Sequence, residues 1–103
     1  MTDWILNLKN MMSQIPFNAE KMSKEDINKE ILRTGIIAEL DAVSLYEQLS
    51  AMTDDNNLKK VLADIAKEEK THVGEFQALL MKLDAEQVSE MEKGKNEVEE
   101  LTK

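Results

Sequence analysis

The sequence predicts an all-α fold: a long antiparallel two-helix hairpin with a terminal helix at each end. Three observations carry this. Glu, Lys, Leu, Ala, Met and Ile dominate, with only 3 Gly and 1 Pro among 103 residues, a helix-forming composition. Apolar residues recur at alternating steps of four and three through two long stretches, and no stretch alternates as a strand would. A short acidic turn separates those stretches, and helices joined by so short a link run antiparallel.

At this length, 1–103 is one domain with a modest core. Residues 1–22 are read as an N-terminal arm. Within it, Trp4, Ile5, Leu8, Met11 and Met12 recur at helical spacing, and Pro16-Phe17 ends the segment. Two readings stay open: a docking arm for a partner subunit, or a helix folded back on its own core. The hairpin spans 23–83. Ser23 has the character of an N-cap, with Asp26 as the carboxylate of a capping box. The first long helix is expected from about Lys24 to Met52. One of its stripes reads Ile31, Gly35, Ala38, Ala42, Leu45, Leu49, Met52. A parallel stripe reads Leu32, Ile36, Glu39, Val43, Tyr46, so the apolar face is wide enough for burial on two sides. Thr53 to Asn57 is read as the turn and supplies capping residues. The second long helix is expected from about Asn57 to Lys82, with the stripe Leu58, Leu62, Ile65, Glu69, His72, Phe76, Leu79, Leu83. Residues 84–103 form a thinly apolar C-terminal helix, edged by Val88, Met91, Val98 and Leu101, with an interruption expected near Gly94. Its charges read as a solvated face.

Composition also removes whole classes of function. The net charge is −8 and the pI about 4.6. That balance opposes nucleic acid and anionic membrane surfaces, and it suits the attraction of cations. With no cysteine, disulfides, thiolate zinc sites, thiol nucleophiles and iron–sulfur ligation drop out. No apolar run approaches the length of a membrane span. Met1-Thr2-Asp3-Trp4 does not begin a secretory signal, so the expected location is the cytoplasm.

The chemistry gathers at Glu69 and His72, the only histidine. Three residues apart on a helix, the two side chains leave one face. Such pairs are common on helix surfaces, but here both residues replace apolar ones within a core stripe. Glu39 does the same on the first helix, and a lone carboxylate there is costly unless paired or metal-bound. Folding the chain about Asp54-Asp55 puts Glu39 and Glu69 about 15 residues from the fold point and His72 about 17, all within about one helical turn along the axis. The residues therefore converge on one layer, either as metal ligands or as a buried His–Glu hydrogen-bond network that specifies register. Two helices cannot enclose a core. A two-fold dimer makes a four-helix bundle and doubles the ligands to four Glu and two His, the donor set of ferritin-like di-iron carboxylate proteins. Such a set suits iron, with manganese or zinc as substitutes.

Ala38-Glu39-Leu40-Asp41-Ala42-Val43, then Leu45-Tyr46-Glu47-Gln48, the acidic turn and Glu68-Glu69-Lys70-Thr71-His72 resemble the encapsulated ferritins, short relatives of the ferritin and rubrerythrin class. The match runs over about residues 30–80 and keeps the interval between the first Glu and the Glu-x-x-His without a gap. The resemblance implies a ferroxidase centre of two irons at a two-fold subunit interface, with Glu39, Glu69 and His72 as catalytic metal ligands from each chain. It implies Asp41 as an acidic station for arriving metal and Tyr46 as a tyrosine near the centre. It further implies an annular, decamer-like homo-oligomer housed in an encapsulin shell that stores the iron oxide. Ala38 stands where relatives often carry a second acidic residue, and Leu45 where some carry tryptophan. The expected function is therefore oxidation of Fe(II) to Fe(III) for storage and detoxification as encapsulin cargo. Two alternatives stand beside it: a rubrerythrin-like peroxide scavenger, and a metal-free helical adaptor that dimerises through its stripes.

Overall fold

The computed structural model describes residues 22–103, which are all-helical apart from short links. The amphipathic stretch at 2–13 and nearly all of the expected arm lie outside the described residues. Helix α1 spans Lys24–Met52, α2 spans Asn56–Leu83 and α3 spans Ala85–Leu101.

Each helix starts at a side-chain cap. Ser23 Oγ accepts from the Asp26 N–H at 3.1 Å, Asp55 Oδ1 from the Leu58 N–H at 2.8 Å, and Asp84 Oδ1 from the Gln87 N–H at 3.0 Å. Each cap satisfies a backbone donor that the first turn leaves without a partner. Thr53 Oγ1 accepts from the Asp55 N–H at 3.1 Å and tightens the link. The turn is therefore shorter than expected, because Asn56 and Asn57 already belong to α2. The break expected near Gly94 is not there: α3 runs unbroken through it. One glycine in a helix interior costs about 1 kcal/mol, which flanking helix formers absorb.

The buried apolar side chains among the described residues are Leu32, Val43, Ala66 and Leu80. On α1 they come from the Glu39 stripe. On α2 they lie one position beyond the predicted stripe, whose Leu58 and Leu79 stay about half exposed. Both long helices thus carry more apolar surface than one partner covers. Ile31, Leu45 and Met52 are also more than half exposed.

Polar contacts pin the hairpin at both ends. Near the turn, Ser50 Oγ donates to the Lys59 carbonyl at 2.9 Å, and Lys59 Nζ donates to the Ser50 carbonyl at 2.7 Å. The ammonium lies in the last turn of α1, where it also meets the negative end of the helix dipole. At the open end, Arg33 bridges Glu30 at 2.7 Å and Asp84 at 3.1 Å. Asp84 thereby ties α1 to the start of α3. The Gln87 N–H holds its carboxyl below the usual aspartate value, and Lys29 and Arg33 push the same way.

Candidate metal centre

With the register held at both ends, Glu39 of α1 faces Glu69 and His72 of α2. His72 Nδ1 lies 3.4 Å from Glu39 Oε2 and 3.4 Å from Glu69 Oε2. One ligand atom from each residue lies within 4.8 Å of the other two. The Glu69–His72 part needs only helical spacing, whereas Glu39 depends on the packing of α1 against α2. The side chains of Glu39 and Glu69 are 21% and 18% exposed, and that of His72 is 45% exposed. The carboxylates are sheltered in the seam, and the imidazole stands at its outer edge.

The donor set fits a transition-metal ion. Two donors held about 2.1 Å from one ion stand about 3–3.5 Å apart. The observed 3.4 Å separations fall in that range, and a charge-assisted hydrogen bond is shorter, at about 2.7–2.9 Å. Carboxylate oxygen with imidazole nitrogen suits iron, manganese or zinc. Three donors from one chain leave coordination positions of an ion open. The rest must come from solvent or from another chain at the open, His72 edge.

Asp41 and Tyr46 do not belong to this cluster, which among the described residues consists of Glu39, Glu69 and His72. Asp41 leaves α1 about 200° round from Glu39. Tyr46 shares the Glu39 side of α1 and is partly buried, but it lies about 10 Å along the axis toward the turn. Two features of the hairpin escaped the sequence reading. One is the Ser50–Lys59 clasp, whose acceptors are backbone carbonyls and leave no sequence signature. The other is a close fit of Gly35 against Phe76: a methyl group at Gly35 would stand 3.1 Å from two ring carbons of Phe76. A glycine inside a good helix was the available signal for it.

Comparison with known proteins agrees with this reading of the fold. The sequence profile of a family described as EncFtn-like matches residues 14–94. A ferritin-like–encapsulin shell fusion protein of Pyrococcus furiosus is 54% identical over 85 residues, covering 82% of this chain and 25% of that protein. The encapsulin nanocompartment cargo protein EncC of Myxococcus xanthus is 35% identical over 77 residues, covering 72% of this chain and 58% of that protein. The chain thus spans about a quarter and somewhat over half of these two curated relatives. The crystal structure of the encapsulated ferritin domain from Pyrococcus furiosus superposes with a TM-score of 0.77 at 52% identity, covering 88% of this chain and 95% of that one. On the family match over residues 14–94, together with the identity to these relatives, the chain belongs to the EncFtn-like family of ferritin-like proteins.

Proposed function

We propose that the chain is a ferroxidase that works at a centre shared by two copies of itself and serves as cargo of an encapsulin shell. The observation that carries this reading is the cluster of Glu39, Glu69 and His72 ligand atoms within 4.8 Å, with the imidazole at an open edge. Fe(II) is the substrate: each ion gives one electron to an oxidant such as O2 and leaves as Fe(III). Glu39 and Glu69 would hold the ions and neutralise their charge, and His72 would supply a nitrogen ligand. A two-fold partner across the His72 edge supplies the same three residues, giving four Glu and two His for two ions. The exposed Ile31, Leu45, Leu58 and Leu79 give that partner an apolar surface to cover. Asp41 is assigned to arriving cations on the outer side of α1, and Tyr46 to the surroundings of the centre.

A chain this small encloses no storage cavity by itself. Assembly into an annular oligomer inside a shell provides one, and the naming of its relatives as shell-fused or nanocompartment cargo supports that location. Among the described residues, no helix is long and apolar enough to cross a membrane.

The test is aerobic Fe(II) oxidation followed by Fe(III) absorbance, repeated with peroxide as oxidant, on the parent and on Glu69→Ala. Rapid O2-dependent oxidation lost in Glu69→Ala is expected. Turnover with peroxide alone transfers the assignment to a scavenger. Absence of bound metal after loading returns it to a helical adaptor.

A further inference from the structure

We infer that Gly35 and Phe76 form a packing notch that sets how closely α1 approaches α2 at the metal centre, and that they are positioning residues for Glu39. This rests on the metal-binding reading of the trio.

The chain has three glycines, and each lies inside a helix where alanine would be more stable. None of them has a positive φ, so backbone freedom explains none of them. At Gly74 and Gly94 an added methyl group would meet nothing within 4 Å. At Gly35 it would meet three ring carbons of Phe76, two at 3.1 Å and one at 3.4 Å. Carbon atoms prefer about 3.5–4.0 Å. The ring therefore lies directly against the α1 backbone, in space that only a glycine leaves.

The place of this contact gives it a function. Gly35 precedes Glu39 by four residues and Phe76 follows His72 by four, so the notch sits one turn from the centre on both helices. Side chains at a helix–helix contact set the axial separation. The Glu69–His72 pair lies on one helix and does not depend on that separation. The 3.4 Å approach of Glu39 to His72 does. Metal–ligand distances in a formed site hold to within about 0.2 Å of their ordinary values. Relieving the 3.1 Å contact to an ordinary one needs a few tenths of an ångström. A methyl group at Gly35 thus shifts the helices by an amount that matters to the metal and hardly matters to the fold.

Co(II) binding to the full chain tests this, read by affinity and by the ligand-field spectrum, with helicity and melting followed by circular dichroism. Gly35→Ala is expected to weaken Co(II) binding about tenfold or more and to change the spectrum while helicity stays at the parent level. Gly35→Ala combined with Phe76→Leu, which restores the space, is expected to recover affinity to within about threefold and to return the parent spectrum. Gly74→Ala should leave both unchanged. Parent affinity and spectrum in Gly35→Ala would overturn the inference. So would failure of the double variant to recover, including the case where Gly35→Ala does not fold. Failure of the metal reading looks different: the parent itself would then show no change on Co(II) addition, or Glu39→Ala would bind Co(II) as the parent does.

Discussion

Leu79→Glu tests whether the His72 edge is where two copies meet. Leu79 lies two turns beyond His72 on the same edge of α2 and is 51% exposed. Leu40, also 51% exposed, leaves α1 about 140° from Gly35. Because Gly35 meets Phe76 on the His72 side, Leu40 belongs to the opposite face. Full burial of a leucine is worth about 1.5–3 kcal/mol, so covering the exposed half of Leu79 contributes about 1 kcal/mol. A two-fold interface counts the change twice. Losing about 2 kcal/mol raises the dimer dissociation constant about 30-fold, and burying an unpaired carboxylate adds to that. Leu79 is about 10 Å from His72 along the axis, so the ligands stay in place. Sedimentation velocity across a concentration series, with and without metal, measures the shift. Leu79→Glu should dissociate at concentrations where the parent and Leu40→Glu remain paired. Equal weakening by both variants, or unchanged pairing in Leu79→Glu, refutes the placement of the interface.

His72→Ala removes the chain's only imidazole; Fe(III) formation should fall to near the uncatalysed rate, with helicity retained. Glu39→Ala should abolish most oxidation but leave the apo melting temperature unchanged or higher, since a partly buried carboxylate facing another is removed; unfolding of the apo variant would make Glu39 a structural residue. The pKa of Asp84 is depressed in the folded chain, so its stabilising contribution is present above the ordinary aspartate value of about 3.9 and is lost as pH falls below it. Thermal melts from pH 5 to pH 3 should therefore fall more steeply for the parent than for Asp84→Asn, and parallel slopes would show that the charge of Asp84, on the Gln87 N–H and beside Lys29 and Arg33, contributes nothing.

The helix boundaries were legible because capping is local chemistry. Ser23, Asp55 and Asp84 each sit where a side-chain oxygen can reach the backbone N–H three residues on. The convergence of Glu39 on Glu69 and His72 was legible because a short turn makes residues equidistant from it share a level. What stayed hidden depends on which neighbour each flank of a stripe meets. A four-three stripe reports that a helix has an apolar side; it does not say how that side is divided between two partners. Within one chain the contact falls on Ala66 and Leu80, and Leu58 and Leu79 remain at the edge. The Gly94 break failed for a related reason: breaking a helix takes a competing structure, and one glycine supplies none.

That division of the apolar side bears on how the centre works. The edge that holds the half-exposed imidazole also holds the half-exposed Leu79 and Leu58. Under the two-fold reading, one docking event both covers the apolar edge and completes the coordination. Bringing the acidic trios together costs repulsion, and the ions they share offset it. Metal binding and pairing are then linked, each strengthening the other by the same factor. The Ser50–Lys59 clasp and the Arg33–Asp84 tie sit outside that linkage, since both close within one chain. They hold the register of the hairpin before any partner arrives, so three of the ligands are already in place when the other three dock.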